Sequence, residues 1–238
     1  MPQLDVCCYS LGLQYVGRGR LTLPSSQRHL ESDGKWYAEN RNTPVPTDWI
    51  KKVVVAARLA DEHDEVVAVD CRDFHDPERR SKTQDRSSSS KDAGSAAWGN
   101  WGRRQAWPDE EKVNHLGVHH TVMQGLTKHG ANVWRRHLRR KEKVPFGNWV
   151  CEFVLGPFWN AVRDLQKAGS AAAHQKKIVM VFFCRWGRHR SVALEACFLR
   201  ALPCIPWAQL KDASHLASES WLWSTCNFCD VWTSTRCF

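Results

Sequence analysis

The segment "FFCRWGRHRSVALEACFLRAL", Phe182–Leu202, sets Cys184, Arg185, Gly187, Arg188, His189, Arg190 and Ser191 between an apolar run and an amphipathic stretch. A connecting loop needs none of that charge. Where such a loop opens a helix, the first backbone N–H groups have no partner inside the helix, and the helix dipole adds partial positive charge to them. A glycine such as Gly187 lets backbone come close to a ligand. Arg185, Arg188 and Arg190 bring guanidinium forks that match phosphate oxygens. His189 brings a further donor, and Ser191 caps the helix or contacts the anion. The pattern is that of an oxyanion or phosphate cradle, with a basic surface turn as the plainer alternative. Cys184 also has two readings. At the end of a buried strand a cysteine serves as a small apolar residue. Facing a helix N-terminus and several arginines, it becomes a nucleophile of depressed pKa.

A second cluster, "DCRDFHDP", follows the short β-branched run "DEVVAVD" and puts Asp70, Arg72 and Pro77 in a polar loop at another strand end. Convergent strand ends are where α/β sheets bind ligands. Arg72 is expected to reach the cradle from there, with Asp70 orienting it.

Together the two clusters resemble the C-terminal domain of the RapZ family. That family carries a Cys-x-x-Gly-x-His-Arg-Ser-Val loop between a strand and a helix, matched here by Cys184, Gly187, His189, Arg190, Ser191 and Val192. It also has an Asp-x-Arg at an earlier strand end with a Pro beyond it, matched by Asp70, Arg72 and Pro77. The resemblance spans residues 66–202. Its middle is poorly matched and carries a larger insertion, and Arg185 and Trp186 stand where the family has glycine or small residues. In bacteria the family's domain senses an amino-sugar phosphate and binds small RNA, beside an N-terminal nucleotide-binding domain. No G-x-x-x-x-G-K-[ST] occurs in this chain, so nucleotide hydrolysis is not carried over. The resemblance implies binding of a phosphorylated ligand (a sugar phosphate, a nucleotide or an RNA backbone) without catalysis. Gly187, Arg188, His189, Arg190, Ser191, Asp70 and Arg72 would form the site.

Two other families share parts of this pattern. "CRWGRHRS" is similar to the phosphocysteine-forming loop of cysteine phosphatases, and "WPD", Trp107–Asp109, is similar to the segment that supplies their general acid. That resemblance implies an enzyme with Cys184 as nucleophile, Arg190 stabilising the transition state, and Asp109 or Asp70 as general acid. Phe183 stands where those enzymes have histidine. "VVAVDCRDF" with the same loop resembles rhodanese and implies a sulfurtransferase, although Arg follows Cys later here than in that family.

Other signals are weaker. His115 and His119, in "HLGVHH", lie one helical turn apart without an HExxH pattern, and read as surface or hydrogen-bonded histidines. "WRRHLRRKEK", 134–143, is a basic helix face whose Arg135, Arg136, Arg139 and Arg140 either track RNA phosphates or are simply solvated. "CNFC", Cys226–Cys229, adds with Cys237 three thiols but no second pair of a structural zinc site. No metal or other cofactor is expected.

The elements that must position these residues are uneven in strength. "KKIVMVFFC" is continuously apolar, as a buried parallel strand should be, and "SVALEACFLRAL" is the helix after it, with Val192, Ala196 and Leu199 inward. "DEVVAVD", 64–70, is a second strand. A helix is expected from Pro157 to Ala168, with Pro157 near its first turn and Gly169 just past its end. "WIKKVVVAARLA", 49–60, suits a short helix or a buried strand. Residues 111–142 are helix-compatible. These readings give one α/β domain over 49–205 with an at least partly parallel sheet. A flexible insertion is expected at 79–106, a weakly structured extension over 1–48, and a tail without assignable structure over 206–238.

Composition bounds the rest. Hydrophobic residues make up 42% of the 238, which excludes wholesale disorder. The surplus of 34 Lys and Arg over 25 Asp and Glu, a formal +9, favours anionic partners such as phosphorylated small molecules or RNA. No apolar run reaches the roughly 18 residues of a membrane span. The first residues show no secretory layout, so the ten cysteines are expected as reduced thiols in an intracellular, cytoplasmic protein.

Overall fold

The continuous apolar run forms β3 (Ile178–Cys184), and all of its residues are buried. A strand covered on both faces has no solvent side to alternate toward, which is why its sequence does not alternate. β2 (Glu65–Asp70) pairs with β3 in parallel, Asp70 opposite Phe183. On the other side of β3 lies β1 (Leu4–Gly12), also parallel, with Gly12 opposite Cys184. β4 (Ala208–His215) pairs in parallel with β1 and completes the order β2-β3-β1-β4. The computed structural model describes residues 3–18, 21–72, 74, 150–167, 177–187 and 190–216.

Two expectations about the ends are corrected here. The first 48 residues are not a weakly structured extension, because Leu4–Gly12 is an interior strand of the sheet. Its polar-looking letters hid it. Cys8 and Ser10 are as buried as Val6 and Leu11, and a free cysteine packs as a small apolar residue. The stretch after Pro206 is likewise not all without structure, since Ala208–His215 is an edge strand. Residues 217–238 lie outside the described part, as do the insertion at 79–106, the helix-compatible 111–142 and Gly169.

The ambiguous run at 49–60 is helical. α1 (His29–Glu39) precedes α2 (Thr47–Ala56), which buries Trp49, Ile50, Val53 and Val54 at helical spacing and leaves Lys52 exposed. α3 (Gly156–Lys167) follows a π-helical turn, Val150–Leu155, and buries Phe158, Ala161, Val162 and Leu165. α4 (Arg190–Ala201) starts directly after the charged loop, and Val192, Ala196 and Leu199 point inward as expected. No described helix is long and apolar enough to cross a membrane.

The sheet has an apolar layer on each face. Leu30, Ile50 and Val53 of α1 and α2 pack with Tyr9, Leu11, Val181 and Phe183 on one face. Phe158, Leu165, Leu194 and Phe198 of α3 and α4 pack with Cys8, Val69, Met180 and Phe182 on the other. The chain therefore leaves β1 toward the α1/α2 face and leaves β3 toward the α4 face. β1 and β3 are neighbours, so their C-terminal loops part in opposite directions above the sheet. Such a topological switch point is where an open α/β sheet forms a crevice.

Candidate functional site

The charged loop leaves β3 at that switch point. Gly187 adopts φ +68°, a conformation a side chain rarely tolerates, and it turns the chain toward α4. Its N–H donates to Cys184 Sγ at 3.2 Å, and Ser191 Oγ lies 3.3 Å from the same sulfur. Cys184 is 2% exposed and Ser191 is fully buried. The thiol thus ties the start of the loop to its apex and to the first turn of α4. Arg188 and His189 lie outside the described residues.

Arg190, the first residue of α4, is buried and reaches across to the β2 loop. Its Nη1 donates to the carbonyl of Arg72 at 2.6 Å and to that of Phe74 at 3.2 Å. Arg72 is buried too. Its Nε donates to both carboxylate oxygens of Asp70 at 2.9 Å, and its Nη2 to Asp70 Oδ2 at 2.6 Å. The Arg72 backbone N–H closes on Asp70 Oδ1 as well, at 2.9 Å. Nη1 and Nη2 then donate to the carbonyls of Tyr37 and Thr43. Asp70 orients Arg72, and these bonds of Arg72 run to protein oxygens. Arg41 Nη2 donates to the Arg72 carbonyl from the α1–α2 connection. The strand ends of β2 and β3 are thereby locked by guanidinium groups on backbone oxygen.

Sequence reasoning grouped Cys184, Gly187, Arg190, Ser191, Asp70 and Arg72, and the fold brings these six to the C-terminal end of adjacent strands. Asp109, His115, His119, the basic face at 134–143 and the Cys226–Cys229 pair lie outside the described residues. The cysteines at positions 7, 8, 71, 184, 197 and 204 are free thiols. Burial pushes the Cys71 thiol well above its ordinary value, with Cys184 and Asp70 adding to the shift and Arg190 opposing it. Among the described residues no group of three His, Cys, Asp or Glu is placed to hold a metal ion.

Nothing in the sequence marks the loop after β1, which forms the other wall. The Gln14 N–H donates to the Arg185 carbonyl at 3.0 Å. A Cβ on Gly12 would lie 2.7 Å from the Trp186 carbonyl carbon and oxygen, so only glycine lets β1 come this close to the loop. Tyr15 packs against Trp186 with ring centroids 6.0 Å apart, and the Arg185 guanidinium lies 4.9 Å from the Trp186 ring centre. Finding these residues required knowing that β1 exists.

No protein-family model matches the chain, no curated protein matches it, and no solved structure matches it.

Proposed function

We propose that this chain binds a phosphorylated ligand at the C-terminal end of the sheet and breaks no bond in it, as a domain of the RapZ C-terminal kind. The observation that carries the reading is the turn at Gly187. Its left-handed backbone is held by the Cys184 sulfur, and α4 begins at Arg190, at the switch point between β1 and β3. The helix dipole favours an anion there. Arg188 and His189 supply charged donors by sequence, Ser191 lies in the first turn of α4, and Arg190, Arg72 and Asp70 fix the rim. The ligand could be a sugar phosphate, a nucleotide or an RNA backbone, and a cytoplasmic setting belongs to the same proposal.

A cysteine-phosphatase reading has one observation in its favour. Cys184 Sγ accepts an N–H and faces the Ser191 hydroxyl, as a thiolate nucleophile and its leaving-group donor would. The binder is preferred because both contacts give the sulfur a loop-organising role and Cys184 is only 2% exposed. Calorimetry with inorganic phosphate, beside hydrolysis of an aryl phosphate, separates the two. Binding without turnover in wild type, kept in Cys184→Ser, is the expected result. Turnover that vanishes in Cys184→Ser would make the chain a phosphatase. No binding and no turnover would remove both readings.

A further inference from the structure

The loop carries an aromatic surface that phosphate recognition does not need. Trp186 sits one residue before the Gly187 turn and is 39% exposed, although an indole gains by burial. Arg185 takes one face of the ring at 4.9 Å, and Tyr15 braces it at 6.0 Å with the rings inclined by 50°. Gln14 and Arg185, joined through their backbones, each bury a polar side-chain atom. Gln14 Oε1, an acceptor, and Arg185 Nε, a donor, have no partner among the described residues. Buried polar atoms are ordinarily paired, so both keep hydrogen-bonding capacity that this arrangement does not use. A fixed indole, a guanidinium stacked on it, and a donor and acceptor beside it are therefore gathered where the loops of β1 and β3 meet.

We propose that the phosphorylated ligand is a nucleoside phosphate, with its base stacked on Trp186 and its phosphate on the Gly187 turn. This rests on the phosphate-binding reading and narrows its ligand class. Base–aromatic stacking uses the whole ring face and is indifferent to base identity. The C–H groups of a sugar would instead compete with Arg185 for the π density of the same ring. The ligand is a free mononucleotide or the 5′ end of an RNA, two sources of the same chemistry.

The test titrates inorganic phosphate, ribose 5-phosphate, adenosine 5′-monophosphate and a 5′-phosphorylated hexanucleotide of adenosine into the full chain by calorimetry. Adenosine monophosphate is expected to bind tighter than ribose 5-phosphate by about five- to a hundred-fold. Trp186→Ala should erase that difference, while Trp186→Phe keeps part of it. Trp186 is exposed enough that neither variant opens the core, and circular dichroism checks this. A hexanucleotide tighter than the monophosphate assigns the RNA end, and equal affinities assign the free nucleotide; both support the proposal. Equal binding of ribose 5-phosphate and adenosine monophosphate by wild type overturns the nucleoside assignment and leaves phosphate binding standing. A preference that survives Trp186→Ala overturns it too. If none of the phosphates binds, the underlying reading falls and this inference with it.

Discussion

Arg72 folds back onto Asp70, two residues before it, with Nε 2.9 Å from both carboxylate oxygens and Nη2 2.6 Å from one of them. The same guanidinium donates to the carbonyls of Tyr37 and Thr43, so the pair joins the end of β2 to the α1–α2 connection. Arg72→Lys keeps the charge and loses the fork. It should lower stability by about 3 kcal/mol, read from urea unfolding, because the Tyr37 and Thr43 carbonyls lose the donors of a buried guanidinium. Asp70→Asn should cost less, about 1 kcal/mol, since the Asp70 side chain is 38% exposed and water screens it. Equal costs would mean that the carbonyl contacts contribute nothing.

Arg190 couples the first turn of α4 to the loop after β2 through the carbonyls of Arg72 and Phe74. Arg190→Ala should release that loop. Hydrogen exchange at the Arg72 and Phe74 amides is expected to accelerate, and phosphate affinity to fall at least tenfold, about 1.4 kcal/mol. Unchanged affinity would show that the two strand ends need no coupling for binding.

Glycine is required at two positions for different reasons. Gly187→Ala puts a Cβ on a residue at φ +68° and should cost about 1–2 kcal/mol. Gly12→Ala drives a Cβ to 2.7 Å from the Trp186 backbone, so the loop must shift, at about 1–3 kcal/mol. Both should weaken phosphate binding. Thermal unfolding and calorimetry on the two variants check this.

Alkaline pH should unfold the chain early. Burial raises the Cys8 and Cys71 thiols well above their ordinary 9.0 and Cys197 to about 11. Above pH 9.0 these thiols stay protonated when folded and ionise when unfolded, so unfolding releases protons. Their stability contribution is present in full below that pH and is lost as pH climbs through the folded-state values. The thermal midpoint should be flat up to about pH 9 and fall beyond it. Cys71→Ala should make the fall shallower.

The half of the site after β3 was legible because its signals are local. An apolar run ends in a burst of charge, and helical spacing follows at Val192, Ala196 and Leu199. Asp70 and Arg72 were legible in the same way, at the end of a β-branched run. β1 was not, because Cys7, Cys8, Tyr9 and Ser10 look polar in a list and pack as core. Missing β1 meant missing Gly12, Gln14 and Tyr15, and with them the wall against Trp186. Nor could the sequence tell which way an arginine turns. Arg72 and Arg190 read as forks for a ligand, yet the bonds described here run inward to Asp70 and backbone carbonyls, an orientation set by residues distant in the chain.

An interior strand drawn from the first dozen residues has a cost in time. Val6 pairs with Ile178 and Leu210, so β1 must wait for partners roughly 170 residues and more downstream. At the usual pace of the ribosome that wait lasts on the order of ten to thirty seconds, with a hydrophobic segment exposed throughout. The nascent chain should therefore lean on chaperones until Ile178–Cys184 emerges, and the sheet can close only after Ala208–His215 has followed.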